Sequence, residues 1–177
     1  MNIIMGLYLF ILMAPALAQT SLMSMGFQME FAQDNELIEA PYRLTPWVAL
    51  GLPNGFYTKG LVTLAQNNHI SDEGRETVTY RSLGAELGFY VPLISLPYVY
   101  GTAQKISSLK NDRSGDRHWW EYGLGVGNKW RSVTGTAIYG NIEYRFYEKH
   151  QINGNLNDQW IEGEGLMVAL GFEWDLL

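Results

Sequence analysis

GLMVALGFEWDLL, residues 165–177, is the stretch whose reading decides the fold. Leu166, Val168, Leu170, Phe172, Trp174 and Leu176 recur at a period of two, with Gly165, Met167, Ala169, Gly171, Glu173 and Asp175 between them. A period of two is a strand, because successive side chains point to opposite faces. A half-buried soluble strand sets an apolar core face against a long-polar solvent face. Here the second face carries small residues and carboxylates. Such a face suits the inside of a narrow closed barrel, with the large apolar face turned to lipid.

The same pattern recurs upstream. Over residues 23–31, Met23, Met25, Phe27, Met29 and Phe31 alternate with Ser24, Gly26, Gln28 and Glu30. Residues 44–52 set Trp47 and Gly51 against Val48, Leu50 and Leu52, and Pro53-Asn54-Gly55 then forms a tight turn. Residues 78–91 place Leu83, Ala85, Leu87 and Phe89 opposite Ser82, Gly84, Glu86 and Gly88. Residues 119–127 oppose Trp120, Tyr122, Leu124 and Val126 to Glu121, Gly123, Gly125 and Gly127, and residues 136–147 oppose Ile138, Ile142, Tyr144 and Phe146 to Asn141, Glu143 and Arg145. Two further segments, 56–66 and 98–107, are strands with apolar residues on both faces, so their phase stays open. The count is eight, and the expected fold is an all-β, eight-stranded antiparallel up-and-down transmembrane barrel.

The connections set an orientation. Residues 32–43, 67–76, 108–117 and 148–162 are polar, charged and long, whereas those after the second, fourth and sixth strands are shorter. Long outer loops and short inner turns place both termini in the periplasm of a Gram-negative cell. Residues 3–14 are apolar and precede Pro15 and the small-x-small site Ala16-Leu17-Ala18. The expectation is a signal peptide over residues 1–18 and a barrel domain over residues 19–177. The apolar run is shorter than the roughly 20 residues of a spanning helix.

Composition narrows the chemistry. The chain has no cysteine, which excludes disulfides and thiol catalysis, and its net charge is −6 with no basic cluster interleaved with aromatics, which argues against nucleic acid. Glu30, Glu86, Glu121, Glu143, Arg145 and Glu173 share faces with small residues and form an expected polar network in the lumen. Their role is to pack and register the strands, since eight strands leave room for side chains and no open pore. Acids outnumber the evident base, so Arg81 and Lys105, of unsettled phase, or protonated carboxyls are expected to balance them. Trp119, Trp120, Trp130, Tyr144, Tyr147, Trp160 and Trp174 read as an interfacial girdle.

Eight amphipathic strands, a leading apolar segment and a closing strand with Phe172 and Trp174 resemble the small outer-membrane barrels of the OmpX and OmpA-transmembrane-domain kind. The resemblance covers nearly the whole mature chain and lies in pattern rather than motif. It implies assembly by the barrel-insertion machinery, although this chain ends Leu176-Leu177 where that group usually carries a final aromatic. It also implies lipid and lipopolysaccharide as neighbours and no cofactor.

The function expected is non-enzymatic. Four outer loops would contact an extracellular protein or host surface, in adhesion, defence or envelope support. One rival rests on His69-Ile70-Ser71, similar to the His and Ser of outer-membrane lipid A deacylases, with Glu86 or Glu73 orienting the His. By composition the triplet lies in a solvated loop. A small solute channel is the other rival. His69, His118 and His150 fall at the loop end without ligand spacing, so no metal is expected. Lys110, Arg113 and Arg117 offer lipopolysaccharide phosphates a contact, but Asp112 and Asp116 beside them make a mixed solvated loop the better reading.

Overall fold

The computed structural model describes residues 21–32, 43–71, 74–91, 96–108, 118–151 and 160–177. Eight strands run in order: β1 (Met23–Ala32), β2 (Arg43–Gly51), β3 (Phe56–Ser71), β4 (Gly74–Tyr90), β5 (Leu96–Ser108), β6 (His118–Arg131), β7 (Thr136–Gln151) and β8 (Trp160–Asp175). Each pairs antiparallel with the next, and β8 returns to β1 to close the barrel. The fold is therefore the one the alternation predicts. Closure pairs Gly26 with Glu173 and Phe27 with Phe172, and a cluster of Phe27, Phe172 and Trp174 covers the seam outside. Closure also pairs the edges of β1 and β8 that an open sheet would leave bare, which hydrocarbon does not tolerate.

Alternation sorts the side chains without exception along β1 and β2. Ser24, Gln28, Glu30, Arg43, Thr45, Trp47 and Ala49 are buried in the lumen, while Met25, Phe27, Met29, Phe31, Leu44, Val48 and Leu50 stand exposed outside. An exposed apolar wall continued around all eight strands is stable only against lipid. The two phases that the sequence leaves open are settled by this sorting. Tyr57, Lys59, Leu61, Thr63 and Ala65 point inward on β3, and Tyr98, Tyr100, Thr102, Gln104 and Ile106 point inward on β5.

Strand lengths depart from expectation in one respect. The second outer loop, expected over residues 67–76, is strand up to Ser71 and again from Gly74. His69 pairs with Glu76 and Asn67 with Val78 in register. Polar residues there give the sequence no period of two, while backbone pairing continues. β7 and β8 likewise extend to Gln151 and from Trp160 into the span expected as the longest loop. At the other end the turns are tight: Asn54 (φ 62°) and Gly55 (φ 82°) lead β2 into β3, and Gly135 (φ 78°) leads β6 into β7. That end also holds Leu22 and Leu177, joined by a backbone hydrogen bond of 2.8 Å. The signal-peptide expectation and most of the outer loops, including Lys110, Arg113 and Arg117, lie outside the described residues.

The lumen is filled by large side chains laid over small ones. Tyr57, Tyr98, Tyr100 and Tyr139 stand in register with Gly88, Gly127, Gly125 and Gly171 on the adjacent strands. Each ring occupies the space that a Cβ at that glycine would need; at Gly171 it would come within 2.1 Å of Tyr139 Cζ. Gly171→Ala is therefore expected to cost about 1–3 kcal/mol by overpacking. Gly60, whose Cβ would meet nothing within 4 Å on the lipid side, supplies the control. Gly60→Ala should be neutral or mildly stabilising, and urea unfolding from lipid vesicles measures both.

Candidate functional site in the barrel lumen

Three tiers of charge fill the barrel from the terminal end to the loop end. Nearest the termini, Lys129 Nζ lies 2.8 Å from Glu173 Oε1 and 2.7 Å from Oε2, while Arg131 bridges Glu173 and Asp175. Lys129 also sits 4.6 Å from the centre of the Tyr90 ring. In the middle tier Lys59 Nζ pairs with Glu86 Oε1 at 2.8 Å, and Tyr57 Oη donates to the same oxygen at 2.7 Å. Four rings surround that ammonium, those of Trp47, Tyr57, Tyr139 and Tyr98, at 5.0, 5.2, 5.1 and 5.7 Å. Their π faces compensate for the water that Lys59 loses on burial. Trp47 Nε1 donates to Tyr139 Oη at 2.6 Å and locks two walls of this cage together.

The upper tier is a branched network around Arg145. Its guanidinium reaches Glu143 Oε1 at 2.7 Å, Glu30 Oε2 at 3.0 Å and Glu121 Oε2 at 3.4 Å. Arg43 holds Glu121 in a two-point grip at 2.8 and 3.3 Å, the fork geometry that suits guanidinium to carboxylate. The carboxylates also accept from neutral donors. Gln28 and Thr45 donate to Glu30, each at 2.8 Å, Thr102 and Tyr100 donate to Glu143, and Trp119 Nε1 donates to Glu121 at 3.1 Å. Buried charges with so many partners join five strands at fixed register, and removing any one partner strands the others.

All six residues singled out for the lumen, Glu30, Glu86, Glu121, Glu143, Arg145 and Glu173, lie buried inside. Their balancing bases are not those expected. Arg81 and Lys105 point outward, on positions that alternate with buried Ser82, Gln104 and Ile106. The lumen bases are Arg43, Lys59 and Lys129, with Arg131 at the mouth. Each is hidden in the sequence for a local reason: Arg43 and Lys129 sit where loop and turn composition begins, and Lys59 lies on a strand of open phase. The girdle also loses one member. Trp119 is buried beside Glu121, whereas Trp120, Trp130, Tyr144 and Trp174 do face outward. The side chains of Tyr147 and Trp160 lie outside the described set.

The deacylase-like triplet changes its setting. His69 and Ser71 are alternate residues of strand β3, not of a loop, but Glu86 is far from them. Glu86 pairs in register with Lys59, ten positions down the same strand from His69, a separation of roughly 33 Å at strand rise. It cannot orient that imidazole. Glu73 lies outside the described residues. Among the described residues no cluster of His, Asp and Glu is placed to hold a metal ion. The cavities at the two mouths measure about 20 and 10 Å³, roughly the space of one water.

A closed, lipid-walled barrel with a paired ionic interior defines a class, the small eight-stranded transmembrane barrel. Two solved structures share the fold. Neisserial surface protein A superposes with a TM-score of 0.61 at 11% identity, covering 88% of this chain and 98% of that one. A major outer membrane protein from Thermus thermophilus does so with a TM-score of 0.54 at 10% identity, covering 86% and 98%. No protein-family model matches the chain, and no curated protein sequence matches it.

Proposed function

We propose that this protein is a non-enzymatic outer-membrane barrel of a Gram-negative bacterium, with both termini in the periplasm and its outer loops making surface contacts. The observation that carries the reading is the inverted polarity: a paired charge network inside and a continuous apolar wall outside. The fold shared with two outer-membrane proteins supports the location. Tight turns at the terminal end and long hairpins at the other support the orientation. The lumen acts as scaffold: every tier ties strands together, and the cavities its charged residues line at the two mouths are only about 20 and 10 Å³. Adhesion, defence and envelope support all need such a rigid base for variable loops.

The test is cell fractionation combined with migration on a gel before and after heating. The expected result is recovery in the outer-membrane fraction with a shift in mobility on boiling. A soluble periplasmic protein without that shift refutes the reading. A lipid A deacylase keeps one supporting observation, the placement of His69 and Ser71 on alternate residues of a strand. Mass spectrometry of lipid A incubated with the purified barrel decides that point, since acyl loss abolished by Ser71→Ala would establish the enzyme.

A further inference from the structure

The lipid-facing wall carries few charges. On the outward positions of the strands, among residues whose side chains are described, these are Arg81 on β4, Lys105 on β5 and Glu164 on β8, across the barrel. Arg81 pairs in register with Ser107 and Lys105 with Leu83, so the two cations are diagonal neighbours on adjacent strands. Neither has an ionic partner among the described residues. Trp120, the register partner of Lys105 on β6, stands outward beside it near the loop-side start of that strand. An indole and a cation together mark head-group depth.

Below the cations the wall is shallowly dished by small residues. Two open grooves of about 580 and 510 Å³ meet at Leu87, Gly101 and Leu124. The floor begins at Ala103, one outward position below Lys105, and Ala85 lies beside it in register. At Gly101 a Cβ would find no atom nearer than 3.6 Å. Leu87, Leu124 and Phe146 form the sides. Two adjacent unpaired cations at the membrane surface call for a multivalent anion, and a phosphate is the group that membrane lipid supplies. A hollow directly beneath them calls for acyl chain, and from Lys105 to Gly101 the strand descends roughly 13 Å.

We infer that Arg81, Lys105 and this groove form a binding site for one molecule of lipid A, whose phosphate bridges the cations while its acyl chains fill the hollow. The choice of lipid A rests on the proposed outer-membrane orientation, because the cations lie toward the loop end and so in the outer leaflet. The site is distinct from the lumen network and from the loop residues.

Native mass spectrometry of the full barrel released from neutral detergent tests it, using bis-phosphorylated lipid A, its dephosphorylated form and phosphatidylglycerol as probes. The parent should retain one bis-phosphorylated lipid A. Arg81→Gln/Lys105→Gln should weaken that binding by about tenfold or more, the scale of losing charge-assisted contacts to phosphate. Gly101→Leu, with both cations intact and the hollow filled, should weaken it too. Heat-dependent gel migration checks that each variant folds, and Lys105→Gln alone is read in the same way if the double variant does not. Equal retention of the dephosphorylated lipid or of phosphatidylglycerol by the parent overturns the inference, as does unchanged binding by the charge variants. Fractionation bears on location alone, whereas this ranking is measured in micelles, so the two readings fail separately.

Discussion

Arg145→Met is expected to be the most damaging single substitution in the barrel, with a loss of at least about 3–5 kcal/mol, the cost of breaking a buried pair. Domain stabilities run to about 5–15 kcal/mol, so the variant should fold poorly in lipid vesicles. The reason is geometric. Glu30, Glu121 and Glu143 converge on one guanidinium, and without it Glu143 keeps only neutral donors while Glu30 and Glu121 share Arg43, which faces Glu30 in register and grips Glu121. Removing the stranded carboxylates tests this reason. Adding Glu30→Gln and Glu143→Gln to Arg145→Met should recover more than half of the loss, measured by urea unfolding from vesicles. If the triple variant is no more stable than the single one, volume rather than stranded charge explains the damage.

The second large effect separates the two faces of the closing strand at adjacent positions. Leu170 is 58% exposed on the lipid side and Ala169 is 2% exposed in the lumen. Leu170 pairs with Met29 and Gly140, near the middle of the apolar band. Leu170→Arg should cost about 2–4 kcal/mol, the value for a cation at the bilayer midplane. Ala169→Ser should cost under about 1 kcal/mol, because a hydroxyl there adds little volume and stands in register with Glu30 and Asn141, where a hydrogen bond is available. A reversed order of these two losses, read by the same urea unfolding, would mean that the faces are assigned the wrong way round, since a slip of one residue exchanges them.

How far the sequence led depended on the width of the side chains. β1, β4, β6, β7 and β8 declare their faces because small residues alternate with large ones, as Gly123 and Gly125 do with Leu124 and Val126. β3 and β5 do not, since Tyr57, Tyr98 and Tyr100 on the lumen side are as bulky as anything on the lipid side. The missing signal lay in the neighbouring strands. A lumen face as empty as Gly123, Gly125 and Gly127 on β6 cannot enclose a packed interior unless an adjacent strand reaches across it, as β5 does with Tyr98 and Tyr100. Charge balance carried a second signal, for five buried carboxylates, Glu30, Glu86, Glu121, Glu143 and Glu173, demand bases from strands with no other evident one. What no pattern reveals is the extended hairpin, where β3 continues to Ser71 and β4 begins at Gly74 with the backbone still paired.

The seam between β1 and β8 has a kinetic consequence. Ser24 pairs with Asp175, so the first strand made finds its second neighbour only when the last strand has been made. Until that moment β1 has a bare edge, and the tier nearest the termini lacks Glu173. Closure cannot then occur during synthesis; it waits for the last strand, with partners that must meet across nearly the full length of the barrel sequence. Until closure those two edges stay open to pairing with other chains, the liability of any bare strand edge.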